Sequence, residues 1–175
     1  LGYFPMEELM TLRKTGARLQ GHPDRIRLPG IEAPTGSLGQ GLSIAQGMAM
    51  AAKLGKKSTH TYCVLGDGEC QEGQIWEAAM SAPKFKLEGF LTVILDYNKS
   101  QIDGYTKDVM DLEPVADKWK AFNWNVHVID GHNIDEILKA IRESRSAKAA
   151  NGKPHMIVAN TVKGKGVSFM ENKVE

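Results

Sequence analysis

Apolar positions along the chain change period repeatedly, and each change predicts an element. From Met6 to Arg18 they fall at helical spacing among charged residues, which predicts a short amphipathic helix. Gly21 to Ser37, rich in Gly and Pro, reads as a loop. Gly39 to Leu54 is rich in Ala, Met and Gly with no charge before Lys53, which predicts a buried helix. Thr59 to Leu65 predicts a short apolar strand ending at glycine, and Glu72 to Lys84 a helix. Phe90 to Asp96 is an almost unbroken apolar run, as in a strand covered on both faces. Then come a helix over Glu113 to Phe122 and a strand over Val126 to Ile129. Asn133 is placed to cap a helix running to about Ala149, and Met156 to Val162 predicts a last strand. Strands alternating with helices of this length imply an α/β fold, a parallel sheet sandwiched between helices. Ligands of such folds sit beyond the carboxyl ends of the strands.

The 175 residues suit one compact domain, residues 1–175, with no repeat or clear linker. The chain opens at Leu1-Gly2-Tyr3, so it is read as truncated at both ends. A formal net charge of +1 gives no pull towards nucleic acid or an anionic membrane, which favours a small-molecule site. No apolar stretch is long enough to span a bilayer, and no signal peptide is visible. Cys63 and Cys70 form neither a CxxC pair nor a zinc pattern. Cys63 lies in an apolar run as a reduced core residue, which points to a cytoplasmic setting.

Two motifs carry chemistry. Gly66-Asp67-Gly68 follows one strand: two glycines let the backbone approach a ligand, and the aspartate offers a hard carboxylate oxygen. Asp96-Tyr97-Asn98-Lys99-Ser100 follows the next strand and adds an amide oxygen. About 29 residues separate Gly68 from Asn98, enough for a crossover helix and the next strand, so both loops fall at one end of the sheet. Such oxygens suit magnesium, which takes octahedral oxygen ligands and shares itself with phosphate. An isolated Gly-Asp-Gly is most often an ordinary turn; the pairing with Asn98 is what carries information.

Gly-Asp-Gly followed at this distance by Asn is the signature of thiamine-diphosphate enzymes, and the surrounding text resembles transketolase. The matching stretches include Gly21-His22-Pro23, Thr35-Gly36-Ser37-Leu38-Gly39-Gln40-Gly41 and Gly66 to Gly73. Asp96 to Gly104, Asp130-Gly131-His132 and Thr161 to Gly166 match as well. The resemblance covers nearly the whole chain, and Lys163 to Asn172 looks like the short N-terminal subunits of split transketolases.

The resemblance implies a thiamine-diphosphate-binding fold and transfer of a two-carbon ketol unit from a ketose phosphate to an aldose phosphate, as in the pentose phosphate pathway. Asp67 and the Asn98 side chain would ligate Mg2+, with Ca2+ or Mn2+ as substitutes, and the Ser100 carbonyl would be a third ligand. Gly68 would touch the diphosphate through its backbone. Gly36 and Leu38 would lie against the cofactor's aminopyrimidine and thiazolium region, and Ile102 would support its bent form. His22 would face the substrate channel as an acid-base group, and Glu72 would join an acidic relay between the two active sites of a dimer.

Bland readings stand beside these. Glu72 suits a helix first turn, His22 before Pro23 suits a plain loop, and Lys163 to Gly166 suits a solvated turn lacking P-loop spacing. Trp76 and Trp119 read as core.

The family's activating glutamate and substrate-phosphate arginines lie on a pyrimidine-binding domain that has no match in this chain. A Ser-Lys-Gly-His-Ala segment expected before Leu1, and a histidine expected after Glu175, have no match either. The resemblance therefore implies a partner: a C-terminal transketolase subunit carrying the pyrimidine-binding domain, in a dimer of heterodimers. Other readings are a deoxyxylulose-phosphate synthase, a transketolase for an unusual sugar, the alpha subunit of a 2-oxo acid dehydrogenase, a non-catalytic cofactor-binding orphan subunit, or a nucleotide-binding module.

Overall fold

A computed structural model describes residues 2–146 and 151–173. Four parallel strands form the sheet: β1 (Thr61–Gly66), β2 (Leu91–Tyr97), β5 (Asn125–Asp130) and β6 (His155–Asn160), in the order β1-β2-β6-β5. A two-residue hairpin, β3 (Ser100–Gln101) with β4 (Gly104–Tyr105), projects beyond the end of β2. It leads into a single helical turn, α3 (Thr106–Val109).

One face of the sheet carries α1 (Gln40–Leu54), α2 (Gly73–Lys84) and α4 (Val115–Ala121). The alternating positions Cys63 and Leu65, then Leu91, Val93 and Leu95, then Met156 and Val158 point into this layer. They meet Leu42, Ile75 and the fully buried Trp119. Each such large side chain contributes roughly 1.5–3 kcal/mol on leaving water. Trp119 packs against Trp76 at 5.4 Å and edge-on against Trp124 at 5.1 Å between ring centroids. Trp76 is only partly buried, on the margin of this core.

The other face carries α5 (Ile134–Ser144), opened by Asn133, whose side chain accepts from the Asp135 and Glu136 amides. Thr92 on β2 donates to Ser144 of α5 at 2.8 Å. On β1 this second face stays open, with Tyr62 and Val64 exposed.

Four expectations need correction or extension. Met6 to Arg18 is not an α-helix: only a 3₁₀ segment, Met6–Thr11, forms, and none of its residues is buried. Its apolar residues have no packed face in the described structure, and without one a short helix is marginal. The helix over α1 forms, but it is buried on one side only: Leu42, Ala45 and Ala49 face the core while Leu54 is exposed. The helix after Pro114 begins at Val115 rather than Glu113. The helix expected to reach Ala149 ends at Ser144, with Arg145 as its C-cap, and residues 147–150 lie outside the described residues. Cys63 and Cys70 are free and buried, and burial pushes the Cys63 thiol up to about 12. Among the described residues, no helix is long and apolar enough to cross a membrane.

Candidate functional site

Parallel pairing puts Gly66 of β1 beside Asp96 of β2, so both chemistry-bearing loops leave the same sheet end side by side. After β1 the chain turns directly into a 3₁₀ segment, Gly68–Gln71, with Asp67 at its N-cap. After β2 it passes Asn98 and enters the hairpin. Between the loops lies a cavity of about 440 Å³ whose lining includes Leu38, Asp67, Asn98, Ser100, Ile102 and Lys163.

Asp67 sits at the floor, 1% exposed. Its Oδ1 accepts from the Gly68 amide at 2.7 Å, and its Oδ2 accepts from the Lys99 amide at 2.5 Å, so one carboxylate ties the β1 loop to the β2 loop. Lys99 reaches that position with φ 64°, the left-handed region. Burial raises the Asp67 pKa, the two backbone N–H groups oppose the rise, and the nearby Asp96 carboxylate adds to it. Asn98 donates through Nδ2 to Asp96 Oδ2 at 3.1 Å, while its Oδ1 accepts from the Ser100 amide at 3.0 Å.

The lining carries four carboxylates, Asp67, Glu69, Glu72 and Asp103, and, among the described residues that form it, one ammonium, Lys163. Such a cavity repels an anion that arrives alone and accepts a cation or an anion already bound to one. Among the described residues no group of three or more His, Cys, Asp or Glu side chains could hold a metal. The donor set expected from the sequence is the Asp67 carboxylate, the Asn98 amide oxygen and the Ser100 carbonyl, from three residues that all line the cavity. That set fits magnesium shared with diphosphate oxygens, and fits a zinc centre poorly.

The remaining candidate residues divide. Gly68 approaches the hairpin so closely that a Cβ there would stand 2.7 Å from the Gln101 Cβ. Leu38, 55% exposed, and Ile102, 90% exposed, flank the mouth. Glu72 also lines the cavity; it sits at the α2 N-cap, where its side chain makes no capping bond. His22 and Gly36 are not among its lining residues. They pair with each other instead: Gly36 has φ 110°, and a Cβ there would lie 2.7 Å from the His22 ring. His22 borders a separate depression with Arg13 and Gln20.

Sequence reasoning missed three groups. Glu69 binds both the Gly39 amide at 2.9 Å and the Gly66 amide at 3.1 Å. Gln71 donates to Gln101 Oε1 at 2.6 Å, holding the hairpin to the 3₁₀ segment. Lys163, read as a possible solvated turn, lines the cavity. A carboxylate and an amide within Gly68-Glu69-Cys70-Gln71 gave some signal, but their partners lie about thirty residues away.

Residues 1–175 match the family model described as transketolase, thiamine diphosphate binding domain. The chain is 53% identical over 173 residues to the 6-deoxy-6-sulfo-D-fructose transketolase subunit of a Clostridium species, covering 99% of this chain and 62% of that protein. It is 48% identical over 170 residues to an apulose-4-phosphate transketolase subunit of Phocaeicola vulgatus, covering 97% of this chain and 59% of that one. The chain thus spans about 60% of the length of these relatives. The crystal structure of Campylobacter jejuni transketolase superposes with a TM-score of 0.87 at 34% identity, over 95% of this chain and 26% of that one. With the paired loops at one sheet end and agreement in sequence and fold over nearly all its length, this chain belongs to the transketolase family, as its thiamine-diphosphate-binding N-terminal section.

Proposed function

We propose that this chain supplies the diphosphate- and magnesium-binding half of a ketol-transferring active site. The pyrimidine-binding half comes from a partner chain. The observation that carries this reading is the buried Asp67 carboxylate, held by two backbone amides and facing a cavity shared with Asn98 and Ser100. A carboxylate so placed favours a bound cation, which offsets the cost of burying its charge.

Asp67, the Asn98 amide oxygen and the Ser100 carbonyl would hold Mg2+, or Ca2+ or Mn2+ in its place. The Gly68 backbone would receive the diphosphate, and Lys163 adds a positive side chain to the lining. When bound, thiamine diphosphate supplies the carbanion stabilisation on which breaking and remaking a carbon-carbon bond beside a carbonyl depends. The chain's own residues bind, orient and exclude water. Leu38 and Ile102 would give the mouth its apolar walls, Glu72 in the lining would join an acidic relay to a second active site, and His22, which lies against Gly36 outside the cavity lining, is the acid-base candidate for the substrate channel.

The Clostridium and Phocaeicola relatives are both called subunits, which supports a separate partner chain. Their names specify a sulfonated ketose and a ketose phosphate. The donor class that fits both is a ketose with an anionic group remote from the reacting carbonyl, and the reaction transfers its two-carbon ketol unit to an aldose.

Calorimetric titration with thiamine diphosphate and Mg2+, with and without the partner, tests the reading. Wild type should bind and Asp67→Ala should not. Equal binding by Asp67→Ala, or no binding by wild type even with the partner, removes the metal-site assignment. A coupled ketol-transfer assay on the assembled protein then separates an enzyme subunit from an orphan binder.

A further inference from the structure

Two segments singled out in the sequence, Asp130-Gly131-His132 and Thr161-Val162-Lys163, supply no metal ligand in the proposed set, yet a chain of contacts through Asp96 ties them to it. Gly131 follows the end of β5, and its amide donates to the Asn160 carbonyl at 2.7 Å. A Cβ on Gly131 would fall 2.5 Å from Thr161 Cγ2 and 2.9 Å from the Asn160 carbonyl oxygen, so only glycine leaves room for Thr161. His132 Nε2 accepts from the Val162 amide at 2.8 Å, and the Thr161 amide donates to the Tyr97 carbonyl at 3.3 Å. Thr161 is therefore fixed from both sides, by the end of β5 and the end of β2.

From that position the Thr161 hydroxyl donates to Asp96 Oδ1. Asp96 Oδ2 accepts from Asn98 Nδ2 at 3.1 Å. An ionised carboxylate is acceptor-only, so it dictates that the amide nitrogen of Asn98, not its oxygen, faces it. A flipped Asn98 would set its oxygen against Asp96 and its NH2 against the Ser100 amide, two repulsive contacts in place of two bonds. The orientation matters because only the oxygen can ligate a hard cation, and Oδ1 keeps a lone pair beyond the one taken by the Ser100 amide.

We propose that Thr161 and Asp96 are positioning residues that lock the Asn98 amide with its oxygen available to the cation, and that the Asp130-Gly131-His132 turn buttresses this lock. The inference rests on the assignment of Asn98 as a ligand. It explains why strand ends that hold no metal ligand are shaped around a single threonine. Partners of metal ligands in such outer positions change metal affinity about 10–100-fold when removed.

The test is Mn2+ binding, followed by loss of the free-ion EPR signal at saturating thiamine diphosphate, in the full-length protein assembled with its partner. Thr161→Val keeps shape and removes the hydroxyl, and should weaken Mn2+ binding about ten-fold. Thr161→Ser restores the donor and should return affinity to within about two-fold of wild type. Gly131→Ala, which acts by displacing Thr161, should reproduce the loss by a separate route. A merely structural role would lower the melting temperature of these variants and leave Mn2+ affinity alone. Asp67→Asn separates the two levels. If Asp67→Asn loses Mn2+ while Thr161→Val and Gly131→Ala both bind like wild type, the lock is wrong and the metal site stands. If Asp67→Asn binds as tightly as wild type, or wild type does not bind, the metal site falls and the lock with it.

Discussion

Glu69 holds Gly39 from thirty positions along the chain: its Oε1 accepts from the Gly39 amide at 2.9 Å while its Oε2 accepts from the Gly66 amide at 3.1 Å. One carboxylate thus closes the loop carrying Leu38 onto the loop carrying Asp67. Gly39 is buried and left-handed, with φ 86°, so its amide has few alternatives. Glu69→Gln offers one oxygen and one NH2 to two N–H donors, leaving one donor unsatisfied at a cost of about 1–3 kcal/mol. The expected outcome is a lower melting temperature and several-fold weaker binding of thiamine diphosphate, with Mg2+ affinity less affected. An unchanged apparent affinity for thiamine diphosphate in a calorimetric titration would show that the Leu38 loop needs no such clasp.

Gly36 and His22 give a second case, one that double mutation can resolve. Gly36→Ala meets two obstacles: the His22 ring at 2.7 Å, and a φ of 110° that L side chains rarely adopt. Substituting Gly36→Ala alone should weaken thiamine diphosphate binding at least ten-fold, by displacing the loop that precedes α1. Adding His22→Ala removes the clash and leaves the backbone strain, so part of the affinity should return. Additive losses in the double-mutant cycle would mean that the two residues are not coupled through this contact.

Much of this site is legible in the sequence because the chemistry falls directly after the strands. Asp67 and Asn98 each follow an apolar run, and parallel pairing brings two such ends together. Glu69 is not legible, since an acidic residue at the start of a helical turn looks like a dipole partner until Gly39 is seen beside it. The hairpin is not legible either: two-residue strands leave no alternation to read. At Met6 to Arg18 the period is helical, but Met6, Leu9, Met10 and Leu12 remain exposed, and periodicity without a packing face specifies little. In α1 the error runs the other way. Composition apolar on all sides predicts full burial, yet Ile44, Met48 and Leu54 are open to solvent in this chain.

Far from the cavity, at the opposite end of the sheet, His155 on β6 stacks against His127 on β5 with 5.1 Å between ring centroids, and a hydrogen bond of 2.8 Å joins the rings. His155 is buried, and its Nε2 has no hydrogen-bond partner. Burial first, then the neighbouring His127, pushes its pKa down to about 4, against a weaker upward pull from Glu143. The unfolded chain, with a histidine pKa near 6.5, then binds a proton that the folded chain refuses between about pH 6.5 and 4. Stability from this group is therefore full above pH 6.5 and is lost as pH falls, by at most about 3 kcal/mol. Denaturant unfolding at a series of pH values should show this slope, and His155→Gln should flatten it. A slope that is the same in both proteins would assign the acid sensitivity to other groups.

Gly68 isolates the spacing between the two loops. Its φ is not in the left-handed region, so alanine meets no backbone penalty there, and only the contact of the new Cβ with the Gln101 Cβ at 2.7 Å remains. Gln101 cannot retreat freely, because its Oε1 accepts from Gln71, whose side chain also donates to the Met110 carbonyl at 2.9 Å. The clash must therefore open the gap between the Asp67 loop and the hairpin that follows Asn98 and Ser100. Ångström-scale widening is severe for Mg2+, which holds its oxygens near ~2.1 Å in a nearly ideal octahedron, and milder for Ca2+, with longer and more variable bonds. Gly68→Ala should accordingly raise the Kd for Mg2+ with thiamine diphosphate at least ten-fold and the Kd for Ca2+ distinctly less. The ratio of the two, measured by calorimetry on the same preparation, separates altered spacing from simple destabilisation, which would weaken both ions alike.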